Sequence, residues 1–465
     1  MIEKYSTPYR PHPSKAKVTE DTARTANASY SYTGTVRTVG SGKTYATLTA
    51  AYTAAASGDI IEVYGTIITN SESGGYWLLN TAKNVLVRGA TSNPADTIIE
   101  QNSAATYCIR VRINSGVVFQ NITIKTNQNA ACVFVDGDEA NRNIIFDNCI
   151  FQQNGSGTSS KFMNITNALT STTTRWFEYK NCQFNKTSGD ISPGFTVTDN
   201  SSNSTHLYTG CKFNTSTDPA FRCVDTMIGR LAIYDCSFLQ NANYTICLFG
   251  QDTALPTSII GVLDVRGNVL RSAAGFVSDG FLVGRGTNVC YFYNNEVYIN
   301  PIFAAASCSL CIKTTSTNLG DSVFKGNFLY APRPLYIKGG SKATVSNNIF
   351  VSNYDYGAVW EAFGFTNYKN GADEVLSRSN VITYNYFIAT HYGIHVYNTG
   401  AAEDDVTSFK TCTVDYNKYY MNADKYLYDF VSSVGYVWSN KYSFWASQND
   451  LNSTKINSAV IQNFL

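Results

Sequence analysis

Short stretches in which apolar and polar residues alternate recur along most of the chain, each followed by turn residues. Alternation with a period of two indicates a strand with one buried face, and each stretch is too short for a helix. Successive copies are about 21 to 36 residues apart. The copies are VVFQNITI (117–124), IIFDNCIF (144–151), FEYKNCQF (177–184), HLYTGCKF (206–213), LAIYDCSF (231–238), VLDVRGNVL (262–270), YFYNNEVY (291–298), VFKGNFLY (323–330), ATVSNNIF (343–350), ITYNYFIA (382–389) and TVDYNKYY (413–420).

A second strand-like phrase lies between many of these copies. The phrases are CVFVDGD (132–138), GFTVTDN (194–200), GFLVGRG (280–286), LCIKTTS (310–316), PLYIKGG (334–340), GAVWEAF (357–363) and GIHVYNT (393–399). Parallel strands need a long crossover, and a coil that travels once around an axis provides it. The repeat therefore predicts an all-β fold, a single-stranded parallel β-helix of about 11–13 coils.

Each end of the repeat has a segment of different character. Near the start, Leu48, Ala51, Tyr52 and Ala55 share one face of a predicted helix that ends before Ser57-Gly58-Asp59. We expect four parts. They are an extended arm (1–35), an N-terminal cap made of this helix and a first strand (36–66), the β-helix (67–425) and a closing segment (426–465).

The arm contains Pro8, Pro11 and Pro13 among basic residues, a composition that cannot fold alone. It is either a disordered leader or a peptide that docks into another protein of an assembly. The segment also lacks the apolar stretch of a secretory signal.

Two residue types recur at fixed positions of the repeat. Cys149, Cys182, Cys211 and Cys236 occupy one slot of four successive copies, which predicts a buried ladder of reduced thiols, with disulfides or redox chemistry as the alternative. An asparagine slot, structural in our interpretation, holds Asn121, Asn148, Asn181, Asn327, Asn348, Asn385 and Asn417.

The charge composition limits the partners. The 35 basic and 34 acidic residues leave a net charge of +1, so we expect neither nucleic acid nor an anionic membrane as a partner. Only 15% of the residues are charged, whereas the chain has 32 tyrosines. Such a surface suits sugars, or packing against identical subunits.

The segment TYATLTAAYTAAASGDIIEVYGT (44–66), followed by coils with Asn-Asn and Asn-Cys pairs, resembles the pectate-lyase-like superfamily of right-handed parallel β-helices. That superfamily includes polysaccharide lyases, glycoside hydrolases and bacteriophage tailspikes. The resemblance implies a right-handed coil and a saccharide cleft on the outer face of one sheet. It is specific for the fold and much less so for function.

Alternation along the later coils predicts which side chains could line such a cleft. Leu335 and Ile337 point inward, for example, which leaves Tyr336 and Lys338 outside. The outward column contains the candidate catalytic residues Lys313, Lys338 and Glu361, with Tyr336, His395, Tyr397 and Arg285 as candidate substrate-binding residues. The alternative is a charge-balanced surface that only keeps the protein soluble.

The pair CIKTTS…LYIKGGSKATVSNNIF also resembles two segments of the alginate and chondroitin lyases. This resemblance implies that Lys313 is the proton-abstracting lysine and that Lys338 replaces a neighbouring arginine. Gly339 stands where the family has histidine, and Ala306 and Cys308 stand where acidic calcium ligands are expected. We therefore expect no metal or cofactor, with Ca²⁺ only if the protein is a lyase.

A glycosidase would instead need two carboxylates on either side of the sugar, about 5–9.5 Å apart. The candidate sets are Asp136, Asp138 and Glu139; Asp355 with Glu361; and Glu403, Asp404 and Asp405. His391 and His395 are four residues apart on a strand, which is too far for a shared metal ion.

Two functional hypotheses remain. The first is a bacteriophage virion protein of the tailspike or tail-fibre type, made in the host cytoplasm. It would bind host surface polysaccharide, form a trimer and attach to other virion proteins through its arm. The second is a polysaccharide lyase or hydrolase, which could be secreted, acting through the outward column.

Overall fold

The computed structural model describes most of the chain after the arm. The described residues are 31–112, 115–136, 142–155, 157, 160–171, 174–186, 195–215, 221–223, 227–240, 247–249, 259–272, 279–283, 287–299, 308–312, 322–340, 342–352, 361–370, 373–389, 392–397, 405–421, 425–429, 434–437, 439, 445 and 450–456. By its contacts the chain divides into residues 1–31 and 32–465, and the second unit is described below. The predicted arm lies almost wholly outside the described residues.

The chain winds in coils, and a full coil contributes one strand to each of three faces. We call the face that contains Val36–Val39 the first face and number the other two in the order in which the chain reaches them. Strands of the first face are Val36–Val39, Ile60–Val63, Val85–Gly89, Gly116–Gln120, Arg142–Asp147, Arg175–Lys180, the end of Phe195–Thr209, Met227–Tyr234, Ile259–Arg266, Thr287–Tyr293, Val323–Lys325, Thr344–Ser346, Val381–Thr383 and Thr413–Asp415.

The second face is a separate 14-stranded sheet. Its strands are Gly65–Ile68, Thr97–Gln101, Thr123–Thr126, Ile150–Gln153, Gln183–Lys186, Lys212–Thr215, Ser237–Gln240, Val269–Ser272, Glu296–Tyr298, Phe328–Tyr330, Ile349–Ser352, Tyr386–Ala389, Lys418–Met421 and Thr454–Ile456.

The third face joins the first into one 27-stranded sheet because Phe195–Thr209 runs through both. Its other strands are Trp77–Leu79, Tyr107–Val111, Ala131–Asp136, Lys161–Ser171, Phe221–Cys223, Cys247–Phe249, Phe281–Val283, Cys308–Ile312, Arg333–Lys338, Glu361–Thr366, Tyr392–Val396 and Lys425–Asp429, with Val434–Val437 added antiparallel at the end. A two-stranded hairpin, Tyr368–Asn370 with Asp373–Val375, extends from one coil.

Pairing between successive coils is parallel throughout the three faces of the described part, apart from that final antiparallel strand. The predicted fold class, a right-handed parallel β-helix, is therefore confirmed. The 14 strands of the second face slightly exceed the 11–13 coils predicted.

Identical positions of successive coils stack inside the bore, as the alternation predicts. Ring centroids of Phe119, Phe146, Tyr179 and Tyr208 follow one another at 4.9, 5.3 and 4.5 Å with nearly parallel planes. This spacing is close to the distance between neighbouring strands, so one coil supplies each ring. Offset stacking adds to the hydrophobic gain from their burial.

The corner between the first and second faces corrects one prediction, since the predicted asparagine slot is in fact two adjacent slots. Asn121, Asn148 and Asn181 lie at the corner with φ of 52–56°. The next residue in each coil points into the core, and this second slot changes from cysteine to asparagine along the axis. It contains Cys149, Cys182, Cys211, Cys236, Asn268, Asn295, Asn327, Asn348, Asn385 and Asn417, all buried.

The ladder of reduced cysteines is confirmed. Eleven of the 12 cysteines have described side chains, and all 11 are buried free thiols. Burial raises the pKa of several of them above the ordinary thiol value, Cys247 among them. They contribute to the core as small apolar groups.

Two α-helices lie among the described residues, α1 at Leu48–Ala54 and α2 at Asp405–Lys410, and two short 3₁₀ helices span Thr69–Ser71 and Pro94–Asp96. In α1 the predicted face is buried: Leu48, Ala51 and Tyr52 are at most 3% exposed. Its role as a cap stays a prediction. No helix of the described part is long and apolar enough to cross a membrane.

Candidate functional site

Three successive strands of the third face bring most of the predicted outward residues together. These strands are Arg333–Lys338, Glu361–Thr366 and Tyr392–Val396. Pairing places Tyr336 beside Gly364 and Gly364 beside His395, and it places Lys338 beside Thr366. Tyr397 follows directly, and its backbone N–H bonds the carbonyl of Phe365. Outward residues therefore form two neighbouring columns across these coils.

One member of the predicted column stands in a different place. The sequence prediction put Glu361 in the same outward column as Lys338. In the structure the strand is Glu361–Thr366, and Phe363 and Phe365 pack inward beside Leu335 and Ile337. Because the two phenylalanines fill the bore, Gly364 and Thr366 take the positions that point away from it. Glu361 is then the first residue of the strand.

The Glu361 carboxylate is nevertheless in contact with two of the other predicted site residues, His395 and Tyr397. One oxygen, Oε1, lies 2.9 Å from Nε of Arg333 and accepts the hydroxyl hydrogen of Tyr397 at 2.7 Å. The other, Oε2, lies 3.2 Å from Nδ1 of His395. Glu361 has no exposed surface, and His395 is only 3% exposed. We call Arg333, Tyr336, Glu361, His395 and Tyr397 the Arg333 cluster.

Aromatic rings cover this ion pair. The His395 and Tyr397 rings stack with centroids 3.9 Å apart, and Tyr336 meets Tyr397 edge-on at 5.3 Å. The Arg333 guanidinium lies 4.8 Å from the Tyr336 ring and 4.9 Å from the Tyr397 ring. Both tyrosines are half-buried, so each keeps some contact with solvent beside the guanidinium.

Burial raises the pKa of Tyr397 well above the ordinary phenol value, and the negative charge of Glu361 raises it further. Burial likewise raises the pKa of Tyr336, against the effect of Arg333. Both phenols therefore stay protonated at neutral pH, and the Tyr397 hydroxyl is a donor to Glu361.

Gly364 makes room for this arrangement. A Cβ at this position would lie 2.7 Å from Oε1 of Glu361 and 2.7 Å from Cδ2 of Tyr336. Both groups therefore occupy the space that a side chain would fill. On the other side, the Tyr336 ring packs against the buried Cys308 and Cys311.

No family model matches this chain, and no curated protein does. The chain is similar to several solved structures. Tailspike protein 3 of bacteriophage CBA120 has a TM-score of 0.45 at 11% identity over 82% of this chain and 56% of its own. A mannuronic acid specific family 6 polysaccharide lyase from human gut microbiota has 0.44 at 11%, over 87% and 86%. The tailspike of E. coli bacteriophage HK620, with a bound hexasaccharide, has 0.38 at 11%, over 92% and 72%.

As a matter of fold, the parallel pairing of successive coils confirms the β-helix that the sequence resemblance implied. The chain spans little more than half the length of the CBA120 tailspike.

Several predicted site residues lie outside the described residues. These are Lys313, Arg285, Asp138, Glu139, Asp355, Glu403, Asp404, His391 and Ala306. The roles predicted for Lys313 and Arg285 stay predictions, and so do the glycosidase pairs that involve these carboxylates.

Besides Glu361, two residues of the predicted glycosidase carboxylate sets are described, Asp136 and Asp405. Both bond to residues outside the Arg333 cluster. Asp136 forms an ion pair with Arg110 on an earlier coil of the third face. Asp405 accepts hydrogen bonds from the Thr366 hydroxyl and the Asn367 backbone at the start of α2. Within the described part, no group of three His, Cys, Asp or Glu residues could hold a metal ion.

Arg333 is the residue that sequence reasoning missed. It directly precedes the phrase PLYIKGG. It lies two residues before Leu335 and four before Ile337, so alternation places its side chain on the same inward side as theirs. The available signal was a charged residue at the first, inward-pointing position of a strand. A buried guanidinium needs a carboxylate partner, so this signal predicts an ion pair.

Proposed function

We propose that the protein binds an acidic polysaccharide on the outer surface of the third face, across the Arg333 cluster and Lys338. The observation that carries the proposal is the pair of half-buried tyrosine rings, Tyr336 and Tyr397, fixed above the Arg333–Glu361 ion pair. Their orientation is set before any ligand arrives, which lowers the entropic cost of binding.

Sugar rings present apolar C–H faces, and a partly exposed tyrosine ring offers a flat apolar face on which they can stack. Lys338 is half-buried at the edge of the same surface and provides a positive charge for a uronic acid carboxylate. Glu361 already forms an ion pair with Arg333, so we assign recognition of the uronic acid carboxylate to Lys338.

The burial of Glu361 favours binding over hydrolysis. A glycosidase carboxylate must reach the glycosidic oxygen or the attacked carbon, whereas this one is covered and both oxygens contact neighbours. The lyase alternative depends on Lys313 and on a proton acceptor that reaches the sugar. It stays a second hypothesis, tested by the same experiment.

We propose further that the polysaccharide is a host surface glycan and that the protein belongs to a virion as a tailspike-like trimer. Support comes from the sequence: the tyrosine-rich, weakly charged surface and the Pro/Lys-rich arm that would attach it to other virion proteins. This part is tested by deleting residues 1–30. The shortened chain should keep its β-helix and its trimeric sedimentation but fail to join virion particles.

The binding proposal is tested with alginate and polygalacturonate as acidic ligands and dextran as a neutral one. We expect the unaltered protein to bind an acidic chain, with affinity that falls as salt rises. Lys338→Ala should weaken binding about tenfold or more, the value of one charge-assisted hydrogen bond. Lys212→Ala removes an exposed lysine from the second face and is the matched control.

If Lys338→Ala and Lys212→Ala lose the same affinity for the acidic ligand, only net charge matters. The proposal that the ligand binds at the Arg333 cluster would then be wrong. The same mixtures are monitored for the ultraviolet absorbance of unsaturated sugars. Cleavage that disappears in Lys313→Ala would establish the lyase hypothesis instead.

A further inference from the structure

Two tyrosines occupy a backbone position that suits tyrosine poorly. The corner between the first and second faces has a positive φ in eleven successive coils, and in the first nine this position holds five asparagines, one aspartate and three glycines. In the last two of these coils it holds Tyr384 and Tyr416, with φ of 58° and 55°. A bulky side chain in this region of the backbone is a strained outlier, whereas Asn and Gly are tolerated.

The two rings project from the corner and stack on each other. Their centroids are 5.0 Å apart with an angle of 12° between planes. Each ring covers part of the other, yet Tyr384 is 52% exposed and Tyr416 is 47% exposed. Both are among the most exposed large side chains of the described residues, so burial in the core does not offset the strain.

Polar side chains lie within two residues of each tyrosine along the chain. Tyr386 follows one buried asparagine after Tyr384, and Lys418 occupies the equivalent place after Tyr416. The Lys418 ammonium donates to the Tyr386 hydroxyl at 3.2 Å and lies 5.0 Å from its ring centroid. Beside Tyr416, Asp415 accepts from the side-chain amide of Asn452 at 2.8 Å. None of the hydrogen bonds of the described residues uses the Tyr384 or Tyr416 hydroxyl.

The corner residues of the preceding coils are short. The corner position one coil before Tyr384 is Asn347, and the coil before that has Gly326. Both are much shorter than tyrosine, so a flat ligand can lie along the corner against the outer face of Tyr384. Exposed aromatic faces with unused hydroxyl groups fit a chain of pyranose rings, which stack through C–H faces and hydrogen bond at their edges.

We propose that Tyr384 and Tyr416 form a second saccharide-binding surface, at the corner of the last coils and separate from the Arg333 cluster. Its ligand is a segment of a polysaccharide chain. The inference does not depend on the function proposed for the third face, because it uses different residues on different strands.

Asparagine at both positions is the variant that tests this surface. Because asparagine occupies the same corner in five other coils, Tyr384→Asn/Tyr416→Asn relieves strain and should leave the melting temperature unchanged or higher. We expect this variant to lose at least tenfold in affinity for an alginate oligosaccharide or a neutral maltooligosaccharide, whichever binds. Asp235→Asn, an exposed residue at the same corner of an earlier coil, is the control and should bind normally.

Hydrogen exchange in the presence of the oligosaccharide locates the ligand. Protection should appear in 381–389 and 413–421, and it should persist in a Lys338→Ala chain even if protection of 333–338 is lost there. That comparison separates failure of this inference from failure of the function proposed above. Lys418→Ala should reduce binding of the alginate oligosaccharide more than of the neutral one.

Three results would overturn the inference. They are the absence of binding by either oligosaccharide to the unaltered chain, undiminished binding and protection in the asparagine variant, or a change in its sedimentation state. The last result would show that the tyrosines join subunits instead of holding sugar.

Discussion

The backbone N–H of Cys236 donates a 2.9 Å hydrogen bond to Oδ1 of Asn268, the residue in the same slot one coil later. At this point the ladder changes from cysteine to asparagine. In the coil before, the N–H of Cys211 has only the Cys236 sulfur, at 3.4 Å. Sulfur is a weak acceptor and an amide oxygen a strong one. The asparagine part of the ladder therefore joins its coils through stronger bonds than the cysteine part.

Replacing one asparagine of this ladder should be costly. Oδ1 of Asn348 accepts from the backbone of Asn327, and its Nδ2 donates to the carbonyl of Phe324 and to Oδ1 of Asn385. In Asn348→Ala these buried partners lose their bonds, and each unsatisfied group costs about 1–3 kcal/mol. We expect the free energy of unfolding to fall by about 3 kcal/mol or more, as measured by urea denaturation.

Asn347→Gly is the control for that change, one residue earlier. Asn347 has a φ of 56°, which glycine adopts without strain, and Gly326 holds the same position one coil before. We expect a change of less than about 1 kcal/mol. Similar losses in both variants would mean that the corner, not the buried amide ladder, provides the stability.

How far the sequence predicts this structure depends on how local each signal is. Alternation in PLYIKGG correctly places Leu335 and Ile337 inside and Tyr336 outside, because that strand follows the period of two throughout. The coil at Glu361 could not be aligned this way. GAVWEAF and EAFGFT both alternate, and only packing beside Leu335 and Ile337 selects the second.

Only part of the Arg333 cluster could be predicted, because alternation is regular in only part of these strands. Tyr336, His395 and Tyr397 follow from alternation, whereas Arg333 and Glu361 stand at the first residue of their strands. There the side chain leaves the regular pattern, so contacts among coils decide its direction. The two asparagine slots were merged because adjacent residues of a corner have the same composition, and only φ and burial distinguish them.

Tyr397→Phe should weaken the third face more than Tyr336→Phe. The Tyr397 hydroxyl bonds a fully buried carboxylate, and hydrogen bonds to charged groups contribute about 1.5–3 kcal/mol. The Tyr336 hydroxyl takes part in none of the hydrogen bonds of the described residues, so its removal should cost less than about 1 kcal/mol. Urea denaturation of the two variants, which differ from the unaltered chain by one oxygen each, measures the difference. Equal stabilities would show that Glu361 does not need this donor.

Gly364→Ala should disturb the cluster directly. The added methyl would lie 2.7 Å from both Oε1 of Glu361 and Cδ2 of Tyr336, so one of them must move. We expect a loss of about 1–3 kcal/mol in the free energy of unfolding and a changed near-ultraviolet circular dichroism spectrum. Gly364→Ala/Tyr336→Ala removes one of the two clashes and should cost less than the sum of its single changes. Strict additivity would show that the glycine and the ring do not compete for space.

Alkaline pH should destabilise the protein through its buried tyrosines. Burial raises the pKa of Tyr234 to about 12, aided by the charge of Asp264, whose Oδ2 accepts the Tyr234 hydroxyl at 2.6 Å. Burial also raises the pKa of Tyr52 to about 12. In the unfolded chain both phenols ionise near pH 10. Their contribution is therefore complete below about pH 10 and is lost as the pH rises towards 12.

Between these values each such tyrosine should lower the free energy of unfolding by up to about 1.4 kcal/mol per pH unit. Tyr234→Phe should be less stable at neutral pH, because it loses the bond to Asp264, but its stability should fall less steeply above pH 10. Tyr52→Phe/Tyr234→Phe should flatten the curve further. Urea denaturation at a series of alkaline pH values measures these slopes. If the slope of Tyr234→Phe equals that of the unaltered chain, the Tyr234 phenol does not titrate with folding.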